Sequence, residues 1–115
     1  MIAQIRPAEL AAWLAQAQAD SGQQPLLLDV REPWELQTAS VRADGAAFLH
    51  MPMASVPLRL AELGAERPIA CLCHHGGRSM QVAYYLQQHG FDQLANVAGG
   101  IDAWARELAP QVPRY

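Results

Sequence analysis

Pro68-Ile69-Ala70-Cys71-Leu72-Cys73-His74-His75-Gly76-Gly77-Arg78-Ser79 decides how this chain is read. Its first part is a continuous apolar run after a proline, the pattern of a strand covered on both faces. A helical pattern, Met80 to His89, follows and stops at Gly90. Cys73 to Ser79 is therefore expected to be a tight loop between a buried strand and a helix N-terminus. The first amides of a helix have no partner within it and carry the positive end of its dipole. Two glycines allow further N–H groups to turn inward, which makes a cradle for an anion. A thiol stands at the start of that cradle and a guanidinium near its end.

An ordinary thiol, with a pKa near ~8.5, is mostly protonated at neutral pH. A helix N-terminus and nearby cations favour the thiolate, so Cys73 is expected to be the activated cysteine. Arg78 supplies a planar fork of donors for oxyanions. The competing reading is a buried structural cysteine, the commoner state of free Cys. It suits Cys71, inside the apolar run. It suits Cys73 poorly, because His74, His75, Gly76, Gly77 and Arg78 are not core neighbours.

Working outward, the same alternation repeats. Ile2 to Ile5 reads as a short strand, and Pro7 opens a helix running to about Asp20, with Leu10, Trp13, Leu14 and Ala17 on one stripe. Leu26 to Val30 is a second apolar run, and Pro33 opens a short helix through about Ala39. Ala46 to His50 reads as a strand. Ser55 reads as the N-cap of a helix through about Gly64. Leu94 to Val97 is a last strand, and Gly99-Gly100 turns into a helix containing Ile101, Trp104 and Leu108. Trp13, Trp34 and Trp104 are expected to be core or partly buried. Hydrophobic strands alternating with helices predict an α/β fold: a central parallel sheet of about five strands with helices on both sides. Sites in such sheets form at the C-terminal strand ends. Two of these ends carry chemistry, Asp29-Val30-Arg31-Glu32 and the Cys73 loop.

The 115 residues suit a single domain, here 1–115. The chain is 51% hydrophobic and 17% charged, enough apolar material for a core and too little charge for a disordered chain. A net charge of −3 without basic clusters argues against nucleic acid as partner. No apolar run approaches the ~20 residues of a membrane span. The apolar start is interrupted by Glu9 and lacks the hydrophobic core of a secretion signal. Its 2 cysteines make no secreted disulfide framework. A cytoplasmic protein is expected. Cys71, Cys73, His74 and His75 are not spaced like zinc ligands, so no metal is expected. Gly76-Gly77 lacks the lysine of a nucleotide loop.

Three motifs give a family resemblance. Leu28 to Glu35 resembles the Asp-Val-Arg-Glu motif of the rhodaneses. Cys73 to Ser79 is similar to their Cys-x4-Arg-Ser loop, and Val97 to Trp104 to their Gly-Gly-x-x-Ala-Trp signature. The chain thus resembles the single-domain thiosulfate sulfurtransferase-like members over nearly its whole length. It departs from them at Ser40 to Ala46, where Gly-Ala is present and the preceding Gly-His is not. The departure bears on the pocket rim and substrate preference.

The resemblance implies that Cys73 is the persulfide-forming nucleophile, ringed by the amides of residues 74 to 78 and closed by Arg78. It implies that Asp29 and Arg31 support the site from the neighbouring strand end. Sulfur would pass from thiosulfate or a related small-molecule donor to cyanide, a thiol or a protein acceptor, with no cofactor. Two other readings stand beside it. A phosphatase or arsenate reductase on the same fold has a loop one residue longer, and a non-catalytic rhodanese-like module typically lacks the cysteine.

Overall fold

A computed structural model describes residues 2–115. Five strands, β1 (Ile2–Ile5), β2 (Leu26–Asp29), β3 (Ala47–His50), β4 (Ile69–Leu72) and β5 (Leu94–Val97), form one sheet in the order β1-β5-β4-β2-β3. Every pairing is parallel, as expected from the runs of apolar residues. Every residue of β2, β4 and β5 is buried, which is why these strands show no alternation. The edge strands are partly exposed.

Four helices cover the sheet: α1 (Leu10–Ser21), α2 (Pro33–Thr38), α3 (Gly77–Gln88) and α4 (Gly100–Glu107). Strand residues alternate between two cores. Leu26, Leu28, Ile69 and Cys71 meet Val82, Ala83 and Leu86 of α3 on one face. Leu27, Ala70 and Leu72 meet Leu10 and Leu14 of α1 and Ile101 and Trp104 of α4 on the other. The hydrophobic driving force is thus divided between two layers. Among the described residues no helix is long and apolar enough to cross a membrane.

Three expectations change. The helix expected from Ser55 to about Gly64 is two short 3-10 turns, Met53–Ser55 and Leu60–Glu62. Ser55 does not cap: its hydroxyl donates back to the Pro52 carbonyl at 2.7 Å, ending a turn instead of starting a helix. The helix expected from Met80 begins at Gly77, so Gly77, Arg78 and Ser79 form its first turn. Trp34 is 60% exposed, not a core residue, because its six-residue helix turns Glu35 inward instead. Trp104 is buried and Trp13 half-buried, as expected.

Candidate active site

The register sets the ends of β2 and β4 side by side, with Asp29 opposite Leu72 and the Val30 N–H donating to the Leu72 carbonyl at 3.0 Å. Cys73 follows β4 and shares the face and core of Cys71. Unlike the expectation for a loop residue, it is itself buried, 1% exposed. Its side chain continues the alternation of the strand inward, and only the polar residues after it turn out.

The sulfur accepts a hydrogen bond from the Gly76 N–H at 3.1 Å and lies 3.2 Å from the Ser79 hydroxyl, whose one proton it shares with a second acceptor. Gly76 adopts φ 101°, a conformation open to glycine at little cost, and this turns its amide back on the sulfur. Of the amides expected to ring the sulfur, it is the one at hydrogen-bond distance. Ser79 also hydrogen-bonds Asn96 Oδ1. The amide nitrogen of Asn96 donates to the Gly76 carbonyl at 3.1 Å and to Gln4 at 3.0 Å. A buried asparagine in β5 thus anchors both the turn and the hydroxyl that meet the sulfur.

The far side of the loop rests on α4. Ile101 N–H donates to the Cys73 carbonyl at 2.9 Å and Asp102 N–H to the His74 carbonyl at 3.1 Å. Two orphan donors of a helix N-terminus are therefore used on the loop backbone. Gly100, at φ 60°, permits this approach: a Cβ there would lie 2.4 Å from both carbonyl oxygens.

Asp29 and Arg31 lie beneath the loop as a fully buried pair. Arg31 Nε donates to Asp29 at 2.9 Å and Nη2 at 2.7 Å, and His50 Nε2 lies 2.6 Å from the Arg31 carbonyl. Burial works against the Arg31 charge, but Asp29 and Tyr115 more than offset it, so its pKa rises. Arg78 does not point at the sulfur's hydrogen-bond donors. It makes a two-pronged ion pair with Glu35, at 2.6 and 2.8 Å. That contact, partly opposed by burial, holds the Glu35 carboxyl at about 2 and raises the Arg78 pKa.

Tyr115 joins the two pairs. Its hydroxyl donates to Glu35 Oε2 at 2.7 Å and accepts from Arg31 Nη1 at 3.0 Å. Its ring stacks on His74 at 3.9 Å and meets Trp34 edge-on at 5.9 Å. Burial pushes the phenol up to about 12, so it is an O–H at neutral pH. His74 stacks in turn on His75 at 3.9 Å. Burial, with the charge of His75, lowers the His74 pKa. His75 is exposed.

Glu35, Ser79, Asn96 and Tyr115 were not among the candidate site residues of the sequence. Asn96 carried a usable signal, a polar residue inside an apolar strand. Glu35 carried another, its place four residues after Arg31 on a helix entered through Pro33. Tyr115 carried none. Potential ligand atoms of His74, His75 and Asp102 lie within 4.8 Å of one another. Asp102 there already serves Arg106 and Arg114, each at 3.1 Å.

The Rhodanese-like domain model matches residues 10–107. The chain belongs to the rhodanese-like family. A rhodanese-like relative from Allochromatium vinosum, named Sulfurtransferase, is 36% identical over 86% of this chain and 88% of its own. A crystal structure from Staphylococcus saprophyticus subsp. saprophyticus matches with a TM-score of 0.71 and 27% identity over 98% of this chain and 99% of that one. The polysulfide-sulfur transferase of Wolinella succinogenes matches with a TM-score of 0.68 and 27% identity over 92% and 74%. The rhodanese-like assignment makes sulfur transfer the chemistry against which the Cys73 loop is read.

Proposed function

We propose that this rhodanese-like protein transfers a sulfane sulfur through a persulfide on Cys73. The observation that carries the reading is the sulfur itself: Cys73 Sγ sits at the floor of a short loop, facing the Gly76 N–H and the Ser79 hydroxyl. These donors would stabilise negative charge on sulfur, first as thiolate and then on the persulfide. Only His74 to Gly77 separate the cysteine from Arg78, a span suited to one sulfur atom and short for a tetrahedral oxyanion.

In the first half-reaction the Cys73 thiolate attacks the outer sulfur of thiosulfate or a related donor. A sulfur–sulfur bond forms at Cys73, the donor's own breaks, and sulfite or the corresponding leaving group departs with the electron pair. In the second, cyanide or a thiol, on a small molecule or a protein, attacks the outer sulfur and the Cys73 thiolate is regenerated. The kinetics are ping-pong. The residues alone suffice for both steps.

The test is intact mass under non-reducing conditions after incubation with sulfane donors. Wild type and Cys71→Ser should gain one sulfur atom and lose it to cyanide, and Cys73→Ser should gain nothing. Loading that survives Cys73→Ser and disappears in Cys71→Ser would overturn the site assignment. Hydrolysis of an aryl phosphate faster than consumption of any sulfane donor would overturn the reaction class.

A further inference from the structure

Both guanidiniums at this site already have carboxylates. Arg31 is matched by Asp29, both fully buried. Arg78 is matched by Glu35 through both of its terminal nitrogens, and Glu35 is only 2% exposed. Glu35 is also held from behind by the Tyr115 hydroxyl. The side chains of Asp29, Arg31, Glu35 and Arg78 therefore sum to no net charge beside the nucleophile. The one imidazole stacked under Tyr115, His74, is partly buried, which favours its uncharged form.

Thiosulfate is a dianion, and so is the sulfite it leaves. To bind it, the loop must present uncompensated positive charge next to an anionic sulfur. Turning Arg78 toward such a donor would leave the buried Glu35 carboxylate with the Glu32 N–H and the Tyr115 hydroxyl but no cation, a costly state for an ion out of water. A persulfide carries at most one negative charge on its reacting group, whether R–S–SH or R–S–S⁻, and its leaving group is a thiolate and not a dianion.

We propose that Glu35 is a specificity-determining residue, which by matching the charge of Arg78 sets the Cys73 pocket for a donor of the persulfide class and against dianionic thiosulfate. The inference rests on the sulfur-transfer reading above. The Cys73 thiolate attacks the outer sulfur of R–S–SH. The new bond joins Cys73 Sγ to that sulfur, the R–S–S bond breaks, and R–S⁻ leaves with the electron pair and is protonated by solvent. The hydrogen stays on the transferred sulfur, giving Cys73–S–SH, and no external oxidant or reductant is consumed. Glu35 touches no reacting atom and acts through Arg78.

The test measures the second-order rate constant for sulfur loading on Cys73, by quenched-flow intact mass, with thiosulfate and with 2-hydroxyethyl persulfide, which carries at most one charge. Wild type is compared with Glu35→Gln, which keeps acceptor and donor atoms but no charge. Wild type should load faster from 2-hydroxyethyl persulfide. Glu35→Gln should raise the thiosulfate rate constant by about tenfold or more, because one unit charge near the site is then unmatched. That gain should shrink at high salt, a response that a purely structural role for Glu35 would not produce. The persulfide rate constant should change by less than about threefold. Wild-type loading from thiosulfate at least as fast as from the persulfide overturns the proposal without need of a variant. So does an unchanged donor ratio in Glu35→Gln. Failure of wild type to load from either donor overturns the sulfur-transfer reading itself, and this proposal with it.

Discussion

Gly100→Ala should damage the fold and the site together, and its cost can be built from the contacts. At φ 60°, alanine pays about 1–2 kcal/mol for the left-handed backbone. Its Cβ would also stand 2.4 Å from the carbonyl oxygens of Cys73 and His74, where ordinary contact begins at 3.4 Å. The start of α4 must therefore retreat from the loop by roughly 1 Å. Retreat breaks the bonds from Ile101 N–H and Asp102 N–H to those carbonyls, now 2.9 and 3.1 Å long. Leaving buried polar groups unsatisfied costs about 1–3 kcal/mol each. The total is on the order of 3–8 kcal/mol, a large share of a domain stability of about 5–15 kcal/mol. Gly45→Ala is the matched control: it too has a positive φ, 87°, but nothing lies within 4 Å of its Cβ position. Urea unfolding of both variants and wild type separates strain from collision. If Gly100→Ala falls within about 1 kcal/mol of Gly45→Ala, the close approach of α4 to the loop is not what holds the Cys73 backbone.

Three further outcomes are expected. Arg31→Ala should destabilise by about 3–5 kcal/mol, since it leaves Asp29 as a buried, uncompensated charge, and Arg31→Lys should recover only part, lacking the fork that grips both oxygens; denaturant midpoints decide it. Glu35 has its carboxyl lowered from 4.5 to about 2 in the fold, so its contribution is complete above pH 4.5 and vanishes as pH falls through about 2. The stability advantage of wild type over Glu35→Gln should narrow across that window, and an advantage that persists at its acid end would contradict the ion pair. The Cys71 thiol is pushed up to about 12 by burial, with the neighbouring Cys73 charge adding to it, so iodoacetamide should leave it untouched in the native protein at alkaline pH below that value and modify it only on unfolding, as peptide mapping would show.

The central strands β2 and β4 were legible because their apolar runs, Leu26 to Leu28 and Ile69 to Leu72, are uninterrupted. The segment 53–62 was not legible. Pro52 and Pro57 bracket Ser55, and a serine after a proline-rich entry can cap forward or bond backward with equal local logic. Glycine misled at position 77, where an unsubstituted residue opens α3 instead of prolonging the loop. Cys73 is set apart from Cys71 in sequence by its polar neighbours, but its own burial follows from strand alternation, which composition around it concealed. The Asp29–Arg31 partnership was visible as a motif. The Glu35–Arg78 and Tyr115 contacts were not, because they join residues distant along the chain, and one sequence holds no record of which surfaces meet.

The strand order has a consequence for how the surroundings of Cys73 come into being. β4 lies between β5, the last strand described, and β2, laid down much earlier. The sulfur's surroundings draw on Asn96 of β5, the N-terminus of α4 and the hydroxyl of Tyr115 by way of Glu35. All of these follow Cys73 in synthesis. Pairings this far apart in sequence close late, after the entropy of long loops has been spent. During translation the Cys73 thiol is therefore an ordinary, exposed thiol on an unfinished sheet. Its buried setting is acquired in the final docking of the C-terminal third, and oxidative damage before that moment would fall on a group without that protection.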